Sequence, residues 1–237
     1  MCRRFALDLD WDAVASQFAV DEDDVRVDTL PQPSCNIAPT QNIGVVAQGK
    51  DGRRHLTGAY WSLVPRWSAS KVLSYPTYNA RVESAHVKPA FAESTKSMRA
   101  IIPASGYYEW KGRRPFYFHA PHDELLSLAG LYSWWRPSPA SPWQLTATII
   151  TCPAADEFVK VHDRMPLLAP RNMVASWLDR SVDGAAGSGY HAFPASAISR
   201  SRATEQRRQT SYSAIGFRRT HASVLSSCSW NRLCSCI

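Results

Sequence analysis

Seven runs of strand-forming residues follow one another between residues 43 and 151, and they constrain the fold more than any other feature. Each run is rich in β-branched, aromatic or aliphatic residues, which is typical of strands. Gly, Pro or basic residues separate most of them, as in KGRRP at 111–115. The runs are IGVVAQ, LTGAYWSLV, RAIIPA, GYYEW, FYFHA, LLSLAGLYSWW and LTATIIT. Many short strands of this kind predict a mainly antiparallel sheet.

Helical patterns lie towards the two ends of this strand-rich stretch. The stretch DWDAVASQFAV (10–20) predicts an amphipathic helix, with Asp10 as its N-cap. PAADEFVKVH (153–162) and PRNMVASWLD (170–179) each begin with a proline, which is common at the first position of a helix. The proline-rich residues 30–40 are expected to be extended or loop. We therefore predict an α+β fold with a mainly antiparallel, barrel-like β-sheet core and flanking helices.

The composition changes near residue 183, where GAAGSG resembles a flexible linker. Residues 199–237 hold seven arginines and one glutamate, are rich in serine and show little periodicity. We therefore predict one domain over residues 1–198 and a disordered Arg/Ser-rich tail over 199–237. Within the domain we see no apolar run of 18 or more residues, so we expect no membrane-spanning helix. Aspartates at 8, 10 and 12 argue against a signal peptide. We expect a cytoplasmic, nucleoid-associated protein, or a nuclear one in a eukaryote.

Basic residues are concentrated in the middle of the predicted domain. The net charge is +7, and the tail contributes +6 of it, so the first 198 residues carry only +1. Residues 50–114, however, hold twelve Lys and Arg against four acidic residues. Such a cluster is typical of nucleic-acid binding, although a solvated basic face would have the same composition.

Four segments combine strongly polar residues with turn-forming or apolar neighbours: MCRRF at the start, YNARVES (78–84), IPASGYYEW (102–110) and VHDRMPLL (161–168). Removal of the initiator methionine would leave Cys2 with an α-amine and a thiol on adjacent carbons. Taken alone, each segment also fits a structural role: a frayed terminus, a capped turn, a solvent-facing carboxylate in a strand, or a helix end with favourable positive charge.

Read in order along the chain, six blocks resemble one family. MCRRF, CNIAP, YWSLVPRW, YNARVES, IPASGYYEW and VHDRMP match the pattern of the SOS-response-associated peptidase family, which shields abasic sites in DNA. The match covers roughly residues 1–180. The resemblance implies an abasic-site sensor that captures the ring-opened sugar in single-stranded DNA through a thiazolidine on Cys2. It also implies self-release of the adduct, from which the family's peptidase and lyase descriptions come.

The resemblance assigns roles to particular side chains. Cys2 would be the nucleophile and Glu109 the general base. His162 would move protons on the sugar, and Asn79 would orient the reacting groups. Thiols and α-amines are only partly deprotonated at neutral pH, so a neighbouring base would help both.

Further residues would hold the DNA. Arg4, Arg81 and Arg164 are expected to clamp phosphates, for which a guanidinium is well suited. Trp61 and Trp67 are candidates for stacking on a base or wedging beside the lesion, with core packing as the alternative for each. The expected partner is abasic single-stranded DNA bound by a monomer. No metal or organic cofactor is implied.

The sequence departs from the family pattern in two places. Arg3 stands where the family has glycine, so it adds either a phosphate contact or bulk beside the nucleophile. After YHAFPASAIS (190–199) the match to the family's closing segment ends.

Two other functions remain open from the residues. In an N-terminal-nucleophile amidohydrolase, Cys2 would attack an amide with its own amine as base. In a non-covalent single-stranded DNA-binding module, the basic and aromatic residues would bind without chemistry.

Overall fold

The computed structural model describes residues 2–120, 124–154 and 156–182, together with the backbone of residues 202–204. Its α-helices are α1 (Trp11–Gln17), α2 (Ala92–Ser97) and α3 (Val174–Leu178). Its strands are β1 (Arg4–Leu7), β2 (Ser34–Ile37), β3 (Asn42–Gln48), β4 (Arg54–Trp61), β5 (Asn79–Arg81), β6 (Arg99–Ala104), β7 (Gly106–Lys111), β8 (Arg114–His119), β9 (Leu126–Trp135), β10 (Gln144–Pro153), β11 (Arg164–Pro166) and β12 (Arg202–Thr204).

Five strands close into a ring. Strand β3 pairs with β4 and β6, β6 pairs with β9, and β9 pairs with β10. Strand β10 then pairs with β4, which closes the ring; this joint is parallel and the others are antiparallel. The predicted α+β fold with a mainly antiparallel, barrel-like core is therefore confirmed. Closure leaves the five strands without a free edge along the ring.

A second sheet has the order β12, β8, β7, β1 and β2, and all its pairs are antiparallel. In it, Arg4 lies opposite Tyr108 and Phe5 lies opposite Tyr107. This register places the amino-terminal segment directly beside the GYYEW run.

Strand β10 also carries two short strands beyond the ring. Asn79 of β5 lies opposite Ile149 of β10, and Arg164 of β11 lies opposite Pro153 of β10. All four polar segments singled out in the sequence therefore lie on β-strands or at their ends.

The helix predictions had mixed outcomes. Helix α1 begins after Asp10, whose carboxylate accepts a hydrogen bond of 2.8 Å from the Ala13 amide, as an N-cap does. The predicted helix over 153–162 is wrong in extent: Pro153 ends β10, and only a 3-10 helix follows at Asp156–Lys160. The stretch 170–179 contains a 3-10 turn (Arg171–Met173) followed by α3.

The buried Arg99 of β6 ties α2 and α3 to the barrel. It is 4% exposed, and its guanidinium donates to backbone carbonyls of both helical segments. These acceptors belong to Thr95, Lys96, Trp177, Asp179 and Val182. One cation thereby satisfies carbonyls at the ends of two helices, where intrahelical partners are lacking.

The predicted tail lies almost entirely outside the described residues. Of residues 199–237, only the backbone of 202–204 is described, and it forms β12 beside β8. The boundary at residue 198 and the disorder of the tail stay predictions. Among the described helices, none is both long and apolar enough to cross a membrane.

Candidate active site

Cys2 is enclosed by the fold. Its side chain is fully buried because β1, which follows it, pairs on both sides with β2 and β7. The Cys2 carbonyl accepts a hydrogen bond of 2.7 Å from the Asn79 side-chain amide. The other end of that amide, Oδ1, is buried and has no hydrogen-bond partner among the described residues. An acceptor thus lies beside Cys2, ready for a donor supplied by a ligand.

The Cys2 thiol is held in its neutral form. Burial raises the pKa of this thiol far above its usual range, and the nearby negative charge of Glu109 raises it further. Both effects disfavour the thiolate. The thiol therefore needs a proton acceptor at the moment it reacts.

Glu109 is the buried carboxylate of the site. It lies on β7 and is 4% exposed. Burial raises the pKa of its carboxyl group, while the positive charges of His162 and Arg3 act in the opposite direction. Tyr107 projects from the same face of β7 two residues earlier, and burial together with the charges of Cys2 and Glu109 raises its pKa well above the usual value. The charge of Glu109 thus acts on the Cys2 thiol, and the charge of His162 acts on Glu109.

His162 has two alternative hydrogen-bonding states at Nδ1. This atom accepts from the Arg164 backbone N–H at 2.9 Å, and it also lies 2.8 Å from Asp163 Oδ1. When Nδ1 accepts, the proton of the neutral ring is on Nε2. When Nδ1 is protonated, it pairs with Asp163 instead. The ring is 31% exposed, so it can exchange protons with a ligand or with water.

Arg164 is already engaged by a carboxylate. Its Nη1 and Nη2 lie 2.5 and 3.0 Å from the two Glu83 oxygens, and Nη2 also donates to the Thr151 carbonyl at 2.6 Å. The hydrogen bond from Arg164 lowers the pKa of Glu83. The role of Arg164 as a phosphate clamp stays a prediction, because in the structure its guanidinium is bound to Glu83. A phosphate that contacts this guanidinium has to displace or share Glu83.

The other two arginines are more accessible. Arg81 ends β5 on the surface and is exposed. Arg4 is half-buried, and its Nη1 donates to Asn36 Oδ1 at 3.3 Å. Arg3, in the family's glycine position, is exposed, and its charge acts on Glu109.

The two candidate tryptophans differ. Trp61 is fully buried, packs edge-on against Phe5 and Tyr78, and donates its indole N–H to the Tyr78 carbonyl at 2.9 Å. With no exposed face, Trp61 packs as the core alternative describes, and its contact with a base stays a prediction. Trp67 is 60% exposed and donates to the Pro89 carbonyl at 3.4 Å, so its ring faces solvent.

Sequence reasoning gave no role to Glu83, Thr151 or Tyr107. Glu83 is one of only four acidic residues in the basic stretch 50–114, and that isolation was the signal available for it. Nothing in the local sequence linked Thr151 to Arg164, because β10 and β11 meet only through the sheet. Among the described residues, no group of three or more His, Cys, Asp or Glu side chains is arranged to hold a metal ion.

Comparison with known proteins adds independent findings. The model of the family described as SOS response associated peptidase (SRAP) matches residues 1–203. The chain is 34% identical over 189 residues to the abasic site processing protein YoqW of Bacillus subtilis, covering 76% of this chain and 80% of that protein. It is 36% identical over 186 residues to the abasic site processing protein YoaM of the same organism, covering 76% and 79%. A crystal structure of a Bacteroides thetaiotaomicron protein shares the fold with a TM-score of 0.72 at 20% identity, covering 87% of this chain and 93% of that one.

Proposed function

The chain belongs to the SOS response associated peptidase family, and on that premise we propose that it processes abasic sites in DNA by covalent capture through Cys2. Relatives that cover most of the chain are named abasic site processing proteins, which supports the substrate class. The observation that carries the mechanism is the enclosure of Cys2 beside the buried Glu109 carboxylate and the unpaired Asn79 oxygen.

The proposed reaction has two bond-forming steps. Removal of Met1 gives Cys2 a free α-amine, which condenses with the aldehyde of the ring-opened sugar to form an imine and release water. The Cys2 sulfur then attacks the imine carbon, a C–S bond forms, and the thiol proton ends on the nitrogen. The product is a five-membered thiazolidine. An internal cysteine lacks the free amine and cannot complete this ring.

Glu109 is the proposed proton carrier for both steps. A carboxyl group whose pKa is raised towards neutrality can accept a proton from the amine or thiol and return it to the leaving water. Asn79 would accept a hydrogen bond from the amine or from a sugar hydroxyl through Oδ1. His162 would shuttle a proton during sugar-ring opening, since Nδ1 can hold either the Arg164 N–H or the Asp163 carboxylate as its partner.

The DNA would be held at the rim of this site. Arg4 and Arg81 are positioned to meet phosphates, and the exposed Trp67 ring can stack on a base beside the lesion. Arg164 would contribute when a phosphate competes with Glu83 for its guanidinium. We propose single-stranded DNA as the form captured, by a monomer whose working unit is residues 1–198. Reopening of the thiazolidine to the imine, followed by hydrolysis of the imine with one water, would return the free Cys2 amine and the sugar aldehyde.

Intact-mass analysis tests the proposal directly. The protein is weighed before and after incubation with single-stranded DNA that carries one abasic site. We expect loss of Met1 and a denaturation-resistant adduct at the mass of protein plus DNA less one water. Cys2→Ala and Cys2→Ser retain the amine but not the thiol, so they should yield only an imine that requires borohydride for trapping.

Three results would point elsewhere. A folded protein that has lost Met1 and forms no adduct contradicts covalent capture. Salt-sensitive binding that is indifferent to Cys2→Ala favours the non-covalent DNA-binding module. Release of ammonia from glutamine favours the amidohydrolase.

A further inference from the structure

Two loops form a basic aromatic surface and, apart from Trp67, contain none of the residues assigned to the candidate active site. They are residues 62–78, which follow β4, and residues 136–143, which join β9 to β10. Together they contain Arg66, Lys71 and Arg136 and no acidic residue. Trp143 in the second loop is 40% exposed, and Trp134, just before it, is 45% exposed. We call Arg66, Lys71, Trp134, Arg136 and Trp143 the basic aromatic patch.

The cations of this patch are held against aromatic rings. The guanidinium carbons of Arg66 and Arg136 lie 4.9 and 4.4 Å from the centroid of the Trp143 ring. Lys71 Nζ lies 4.0 Å from the centroid of the Tyr60 ring. Cation–π contacts restrict these long side chains. Arg136 Nη1 also donates to the Pro139 carbonyl at 2.7 Å, which fixes this guanidinium further and leaves its remaining N–H groups for a ligand. Restricting them in advance lowers the entropic cost of binding an anion.

The two loops are fixed to each other and to the barrel. The Trp135 indole N–H donates to the Ser68 carbonyl at 2.8 Å, which joins the end of β9 to the first loop. The Val64 amide donates to Thr146 Oγ1 at 2.9 Å, which joins the same loop to β10. The patch is therefore part of the folded framework.

Strand β10 connects the patch to the candidate active site. The 136–143 loop leads into Gln144 at one end of β10, and Arg81 lies opposite Thr151 towards the other end. At about 3.3 Å per residue, these two points on the strand are about 23 Å apart. A helical DNA strand spans that distance in about seven nucleotides. Trp67, the proposed contact beside the lesion, is adjacent in sequence to Arg66.

We propose that the basic aromatic patch is a second DNA-binding surface, which holds the single strand that flanks the captured abasic site. This inference rests on the proposed function for its choice of ligand. Arg66, Lys71 and Arg136 would contact successive phosphates, and the exposed edges of Trp134 and Trp143 would contact bases. Neither loop contains an acidic side chain, so a polyanion such as DNA suits this surface better than a protein partner with both acidic and basic residues.

The experiment separates this surface from the active site by the length of the DNA. Capture is measured on an abasic oligonucleotide of about five nucleotides, too short to span both regions, and binding is measured on undamaged single strands of about 25 nucleotides. The test variants are Arg66→Gln/Arg136→Gln and, separately, Lys71→Gln, which leaves the Trp143 contacts intact. Arg171→Gln is the matched control, an exposed arginine outside both loops.

We expect the double variant to bind the long strand about tenfold more weakly and to lower the salt slope of log Kd by about 1.4, since each lost phosphate contact removes about 0.7. Lys71→Gln should lower the slope by about half as much. Capture of the short oligonucleotide should match that of wild type, which also confirms that the variants are folded.

Long-strand affinity and salt slope equal to those of Arg171→Gln in both test variants would overturn the inference. Failure of wild type itself to capture the short oligonucleotide would instead contradict the proposed function. Binding of undamaged single strands by the patch variants could still be measured in that case. Failure of the inference and failure of the proposed function are therefore distinguishable.

Discussion

Arg99 and Glu109 are both 4% exposed, yet the fold treats their charges in opposite ways. The Arg99 guanidinium donates to backbone carbonyls of five residues, so its charge is matched on every side. Glu109 lies where burial raises the pKa of its carboxyl group, near the Cys2 thiol whose pKa is also raised. A buried charge whose hydrogen bonds are all made to backbone carbonyls stabilises a fold, whereas a buried carboxyl group whose pKa is raised is suited to moving protons.

The difference has a structural origin. Arg99 faces the ends of α2 and α3, where helices leave carbonyl groups without intrahelical partners. Glu109 lies on β7, which pairs with β1 of the amino-terminal segment, and the Asn79 side-chain oxygen near Cys2 is buried without a hydrogen-bond partner among the described residues. The helical region is therefore complete in the free protein. The buried Asn79 oxygen beside Cys2 gains a donor only when a ligand supplies one.

Replacing Arg99 tests the structural half of this comparison and has the largest expected effect. We expect Arg99→Met to lower the free energy of unfolding by about 3–5 kcal/mol, because several buried carbonyls lose their donor. Urea unfolding followed by tryptophan fluorescence measures it. Arg99→Lys keeps the positive charge but has fewer donors, so its free energy of unfolding should lie between those of wild type and Arg99→Met. If Arg99→Met lowers the free energy of unfolding by less than about 1 kcal/mol, Arg99 is not the structural charge that the comparison with Glu109 requires.

Replacing Glu109 tests the chemical half. We expect Glu109→Gln to slow single-turnover capture of abasic DNA about 100-fold, or about 2.7 kcal/mol in activation free energy, because the amide cannot accept a proton. Its free energy of unfolding should equal or exceed that of wild type, since a buried charge is removed. If unfolding weakens as much as in Arg99→Met while capture is unchanged, Glu109 is a structural residue.

The smallest effect is a pH dependence of stability that belongs to Glu109. Its folded pKa is raised, so between the unfolded and folded pKa values the native state binds more protons than the unfolded state. The free energy of unfolding of wild type relative to Glu109→Gln should therefore fall as pH rises through that window, and be level above it. Urea unfolding of both proteins from pH 4 upward measures the difference. A difference that rises with pH would mean that the native state favours the carboxylate.

The sequence predicted the sheet-forming stretches well because their hydrophobic runs are long and buried. All seven runs overlap strands of the structure. It did not predict β1, β2, β5, β11 or β12, which are three or four residues long and owe their strand geometry to distant partners. Helix α2 was missed because AESTKS shows no apolar stripe. Pro153 was interpreted as a helix start, but it is the last residue of β10, where it needs no amide hydrogen.

The site was predictable as a set of residues but not as an arrangement. The resemblance identified Cys2, Asn79, Glu109 and His162, and the structure brings Cys2 close to Asn79 and Glu109. Arg164 and Glu83 are 81 residues apart in sequence, so no local sequence pattern predicts their pairing. The burial of Trp61 likewise follows from β1 crossing its ring, a contact with Phe5 that only the folded chain makes.

The closed ring also sets the order in which a newly made chain acquires its parts. Strand β10 joins β9, β4, β5 and β11, so the ring and the strands that carry Asn79 and Arg164 come together only after residues 144–153 have left the ribosome. Contacts this distant in sequence form slowly. Asn79, which donates to the Cys2 carbonyl, is placed by β5 in the same late step. A nascent chain therefore cannot place Asn79 beside Cys2 ahead of the barrel, so the complete site exists only once β10 has joined the sheet.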